Sequence, residues 1–191
     1  MVKFSESKVG SMLKNYCKLN DSNFYNINYI VYYPEKNEDK LPLLLFLHGI
    51  GERGNKVEDI EKYALPKYMN KFDIPYIVVA PQCDNNNFWD YHLRDVEKVL
   101  EEVWKEYKYD KNRVCILGSS MGAFGAWNYI MSRPELFKGI VSVSGGIMLP
   151  IEKILLTIKE KSILSMGMMM SLILVKVYKL MTNLKMLVQQ I

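Results

Sequence analysis

Two kinds of hydrophobic pattern alternate along this chain. Leu41-Pro-Leu-Leu-Leu-Phe-Leu47, Pro75-Tyr-Ile-Val-Val-Ala80, Val114-Cys-Ile-Leu117 and Gly139-Ile-Val-Ser-Val-Ser144 are short and almost continuously apolar, as strands buried on both faces of a parallel sheet are. Between them, apolar residues recur at helical spacing. Leu93, Val96, Val99, Leu100, Val103, Trp104 and Tyr107 are separated by Glu and Lys, and Phe124, Trp127, Ile130 and Met131 make a second such stripe. Val57 to Met69 predicts a shorter helix. Phe24 to Tyr33, rich in Tyr, Ile and Val and closed by Pro34 and the polar run Glu35 to Lys40, predicts one or two edge strands. Strands alternating with helices predict an α/β fold with right-handed crossovers, a mostly parallel sheet and helices on both faces.

Ligands of such sheets bind at the carboxyl ends of the strands, where two glycine-bearing stretches fall. One is His48-Gly49-Ile50-Gly51-Glu52-Arg53-Gly54. The other is Gly118-Ser119-Ser120-Met121-Gly122, a G-x-S-x-G sequence between an apolar strand and a helical stripe. In that context the turn lifts a serine hydroxyl onto a helix N-terminus, which makes Ser120 the candidate nucleophile. Gly118 and Gly122 allow the backbones to approach where a Cβ would collide. Ser119 is not framed by the glycines. The amide groups opening the helix, and the positive end of its dipole, suit a reaction that builds an oxyanion.

Composition narrows the classes. The chain has 191 residues, 49% of them hydrophobic, enough for one domain with a substantial core. Cys17, Cys83 and Cys115 are odd in number and irregular in spacing, and only two histidines accompany them, so neither a disulfide framework nor a metal site is implied. Nor does any stretch call for a cofactor. Met1 to Lys8 has charges where an export signal would need an apolar run, and a cytoplasmic location is expected. The net charge of +4 arises entirely from Leu149 onward, so residues 1–148 sum to zero and no nucleic-acid-binding face is expected. Ile163 to Val175 is apolar, but Lys176 interrupts it short of the roughly 18 residues a membrane span needs.

Several motifs together resemble the α/β-hydrolase superfamily, in its branch of dienelactone hydrolases, polyhydroxybutyrate-depolymerase-like esterases and predicted peptidases. They are Leu-His-Gly-x-Gly-Glu-Arg-Gly at 47–54, Ala-Pro-Gln-Cys at 80–83 with Trp89 following, Asn112-Arg113, and the 118–122 turn. They keep the family's order and spacing from about residue 24 to residue 148. The resemblance implies a serine hydrolase acting on small-molecule carboxylic esters through an acyl-enzyme. It also implies an oxyanion hole from the backbone amides of Ile50 and Met121, with His48 shaping its loop rather than serving as base. Ala123, where a second glycine is common, is a small departure.

The pattern then breaks. A serine needs a histidine to take its proton and a carboxylate to orient that histidine, and in this fold both follow the serine. After Ser120 the chain has no histidine and no aspartate, only Glu135, Glu152 and Glu160. His92 precedes the serine and reads as a solvated loop residue. From Leu149 the composition changes, so residues 1–148 read as the N-terminal part of a hydrolase domain and 149–191 as an aberrant tail in which the last strands are missing or altered. An amphipathic or mis-specified helix is expected there. The apolar edge at Gly139 to Ser144 would then stay unpaired, or be covered only by the tail, and favour self-association. Methionine has a single codon, so Ser165-Met-Gly-Met-Met-Met170 nearly fixes its nucleotides. Read one base earlier, it gives x-Gly-x-Asp-Asp, which permits His-Gly-Asp-Asp-Asp and resembles the family's acid-bearing motif. This predicts a tail translated out of frame, with the break between about Leu149 and Lys161. Against an impaired esterase stand two alternatives: a serine peptidase on the same scaffold, and an inactive remnant or binding protein.

Overall fold

The structure, a computed structural model, describes residues 1–9, 12–20, 23, 26–35, 40–71, 74–146 and 162–166. The apolar runs become its central strands. β4 (Leu43–Leu47), β5 (Ile77–Pro81) and β7 (Gly139–Val143) are buried at every position, and β6 (Val114–Ser119) is buried over most of its length. With β1 (Val2–Val9), β2 (Met12–Lys18), β3 (Asn28–Pro34) and β8 (Ser162–Met166) they form one sheet in the order β1-β2-β3-β5-β4-β6-β7-β8. The five strands from β5 to β8 in that order run parallel, and β1, β2 and β3 are joined antiparallel.

Because successive side chains of a strand face opposite ways, β4 serves two cores. Leu43, Leu45 and Leu47 pack with Val99 and Val103 of α1 (Leu93–Tyr107) and with Trp127 and Ile130 of α2 (Met121–Ser132). Leu44 and Phe46 pack with Val57, Ile60 and Met69 on the other side. Both α-helices therefore cover one face. The opposite face is closed by two 3-10 helices, Val57–Lys62 and Pro66–Lys71, not by one short α-helix. Pro66 lacks the amide a continuing helix needs, and Ala64 breaks the path with φ 50°.

The N-terminal expectation is corrected in one respect: β3 is an interior strand, flanked by β2 and β5. The hairpin β1–β2 extends the sheet beyond it. β2 hides in the sequence because it buries Lys14 and Asn15. The Lys14 ammonium donates to Glu61 at 2.9 Å and to the Tyr16 hydroxyl at 2.8 Å, and the Tyr16 and Tyr32 hydroxyls donate to the same carboxylate at 2.7 and 2.9 Å. A buried charge is tolerated when paired and hydrogen-bonded in this way.

At the other end, β8 pairs in parallel with β7, from Gly139 opposite Ser162 to Val143 opposite Met166. The tail thus supplies a strand over 162–166 where a helix was expected, and β7 is not an open edge. The remainder of the tail, 149–161 and 167–191, lies outside the described residues. Leu45, with no exposed surface on the central strand, gives the test of this core. Leu45→Ala should cost about 2–5 kcal/mol of unfolding free energy, read from urea denaturation at neutral pH.

Candidate active site

Chain direction creates a crevice. From β4 the chain turns to the 3-10 face, whereas from β6 it turns to α2 on the opposite face. β4 and β6 are neighbours, with Leu47 opposite Gly118, so the two loops diverge at their carboxyl ends. This is the switch point at which open α/β sheets hold ligands. His48-Gly49 leaves one strand there and Ser120 the other.

Ser120 is exposed, with φ 52° and ψ −116°, immediately before the first residue of α2. A positive φ is uncommon for a residue with a side chain and signals a conformation imposed by its surroundings. Here the surroundings are backbone. A Cβ on Gly118 would stand 2.1 Å from the Gly122 carbonyl oxygen, and one on Gly122 would stand 1.9 Å from that of Leu47. The Ser120 amide donates to the Val143 carbonyl at 2.8 Å, tying the turn to β7. Met121 opens the 12-residue α2, where amides lack intrahelical partners.

His48 is fully buried. The Cys83 amide donates to Nε2 at 2.9 Å, so the ring proton sits on Nδ1, which donates to the Gly49 carbonyl at 2.6 Å. Burial pulls its pKa down to about 4. A neutral ring with both nitrogens engaged is a structural strut. The Trp89 indole donates to the His48 carbonyl at 2.9 Å and sets its ring edge-on to the imidazole. Trp89 also fills the space opposite Gly125 of α2, where a Cβ would lie 2.4 Å away. Gly49 is thereby held so that a Cβ on it would be 3.5 Å from that of Ser120. Ile50, the next residue, begins a 3-10 turn, Ile50–Glu52, and is half exposed.

His92 is not a solvated loop residue. It is fully buried, with Nδ1 3.0 Å from an Asp95 oxygen and Nε2 2.8 Å from an Asp84 oxygen. Asp84 lies on the loop after β5 and Asp95 on the first turn of α1. Sequence reasoning missed this junction because carboxylates eight residues before and three after a histidine carry no motif. It also assigned nothing to Gln82, whose amide donates to the carbonyls of Glu52 and Lys56 at 3.0 and 2.8 Å, or to the buried Glu52. Among the described residues, therefore, both histidines are engaged elsewhere.

The depressed His48 pKa makes a stability prediction. The unfolded chain takes up a proton near pH 6.5 and the folded chain only near pH 4. This contribution is present above pH 6.5 and lost as pH falls toward 4. The unfolding free-energy gap between the native chain and His48→Gln should narrow by up to about 3 kcal/mol from pH 7 to pH 4, measured by urea titration at each pH.

Residues 85–152, which run from the loop after β5 through the 118–122 turn, match the model of the prolyl oligopeptidase family. Comparison with curated proteins finds no match. Among solved structures, a thermostable esterase is 30% identical with a TM-score of 0.66, over 81% of this chain and 46% of that one. An S-formylglutathione hydrolase from Agrobacterium tumefaciens is 15% identical, TM-score 0.61, over 75% of this chain and 62% of that one. The feruloyl esterase module from Clostridium thermocellum, complexed with sinapinate, is 16% identical, TM-score 0.63, over 86% and 72%. The chain thus spans about half the length of the first of these, and the last two carry the fold alone. No helix among the described residues is long and apolar enough to cross a membrane. The sheet order and these likenesses agree, and the chain has the α/β-hydrolase fold, consistent with the branch that holds both esterases and peptidases.

Proposed function

We propose that this chain is a serine hydrolase of carboxylic esters in which Ser120 forms an acyl-enzyme, and that it is impaired as it stands. The observation that carries the reading is the strained, exposed Ser120 at a helix N-terminus, beside Gly49 in the switch-point crevice. The Ser120 Oγ attacks the ester carbonyl carbon. The carbonyl electron pair moves to oxygen, and the amides of Ile50 and Met121 hold the resulting oxyanion. Collapse expels the alcohol and leaves an acyl-serine, which water then cleaves to release the acid. Two donors of this kind each contribute on the order of a hundredfold.

The impairment follows from the proton. Ser120 must lose one as it attacks, yet no histidine follows it in the chain, and His48 and His92 have both ring nitrogens occupied. The proton must pass to water. The peptidase reading draws on the prolyl oligopeptidase match at 85–152. An ester is favoured because its alcohol departs without a proton donor more readily than an amine does. Exposed apolar side chains stand about the crevice, with Tyr63 against Gly51 and Phe124 against Gly145, and they support an apolar acyl or alcohol group over a charged one.

A fluorophosphonate probe should label the native chain at Ser120 slowly, over long incubation at high probe concentration, and leave Ser120→Ala unlabelled. Turnover of a nitrophenyl ester should fall roughly a millionfold short of an intact triad, with a short peptide amide slower still. Absence of labelling in folded protein would favour the binding-protein alternative; brisk turnover would overturn the impairment. Resequencing the coding DNA from codon 145 separates a single-base error from a real shift in frame.

A further inference from the structure

The loop that carries Ile50 holds a buried carboxylate which the reaction outlined above does not use. Glu52 is 4% exposed, a costly place for a group that ionises. Its Oε2 lies 3.3 Å from the point a Gly49 Cβ would occupy, and that same point is 3.5 Å from the Ser120 Cβ. Gly49 is the N-cap of the Ile50–Glu52 turn and Glu52 its third residue. An acidic side chain at that position reaches back to the N-cap amide. Burial raises the pKa of this carboxyl, opposed by the nearby backbone amides of Glu52 and Gly49 and by the Lys62 ammonium. From the far side, Gln82 donates to the Glu52 carbonyl at 3.0 Å. Gln82 thus holds the backbone of a residue whose side chain lies beside Gly49.

We propose that Glu52 is the positioning residue of the oxyanion hole. By engaging the Gly49 amide it fixes the Gly49–Ile50 peptide, so that the next amide, that of Ile50, remains free to face the crevice at Ser120. Were Gly49 unengaged, either amide could turn inward and the donor would lose its fixed direction. The inference rests on the reading of Ser120 as nucleophile. It assigns to Glu52 an acceptor's task rather than a charge's, since a negative charge beside a developing oxyanion opposes it.

Glutamine keeps the acceptor without the charge, and methionine keeps the volume without the acceptor. The experiment is fluorophosphonate labelling of the native chain, Glu52→Gln and Glu52→Met, with hydrogen exchange of the Gly49 amide measured on each. Glu52→Met should slow the labelling rate at saturating probe by about tenfold or more, as expected when one oxyanion donor is misdirected, with the half-saturating probe concentration little changed. Glu52→Gln should restore the rate to within a few-fold of native. The Gly49 amide should be protected in the native chain and in Glu52→Gln, and exposed in Glu52→Met. Equal labelling in all three, or equal loss in both variants, would overturn the proposal. If the native chain is not labelled, the Ser120 reading fails and Gly49 exchange alone decides: protection lost only in Glu52→Met sustains the role, and uniform protection refutes it. If Glu52→Met does not fold, retained Gly49 protection in Glu52→Gln supports the role and lost protection overturns it.

Discussion

The close approach of Gly122 to the Leu47 carbonyl is the constraint on which the rest of this molecule depends. It brings the first turn of α2 against the carboxyl end of β4 with no room for a side chain. Three consequences follow together. The turn between β6 and α2 is compressed, Ser120 takes its positive φ, and the loops after β4 and β6 start from one level. The strain at Ser120, of order 1–3 kcal/mol, is maintained by the packing of α2 through Trp127 and Ile130 onto the sheet. A hydroxyl held out in this way needs no rearrangement to meet a ligand.

Around that contact the polar groups are used as struts. His48 spans from the Cys83 amide to the Gly49 carbonyl, Trp89 locks the His48 carbonyl, and Gln82 bridges Glu52 and Lys56. Each joins the loop after β4 to the loop after β5, so two segments with few regular hydrogen bonds become one rigid wall. Hydrogen bonds buried in this way help specify a single arrangement of the two loops. The same use of its nitrogens that makes His48 a good strut removes it as a base.

What the sequence disclosed follows from how strongly each element is constrained. β4, β5 and β7 are buried on both faces, so their composition is almost forced, and α1 shows its buried stripe with charges between. The 118–122 turn is legible because only glycine fits at two of its five places. β1 and β2 were not legible, since an outer hairpin bearing Lys3, Glu6, Lys8 and Lys14 has no apolar alternation to read, and Lys14 is buried only through partners distant in sequence. The His92 junction was lost for the same reason: Asp84, His92 and Asp95 sit on three different structural segments. Motifs that depend on backbone geometry survive in a linear reading, whereas polar clusters assembled by tertiary structure do not.

The register of β8 places its carboxyl end at the level of the nucleophile turn, since Val143 is opposite both Ser119 and Met166 in its two ladders. The break in frame expected between about Leu149 and Lys161 precedes this strand, outside the described residues. In the proposed reading the chain keeps its nucleophile turn and its strutted loops, the scaffold that would position a proton acceptor, without the acceptor itself.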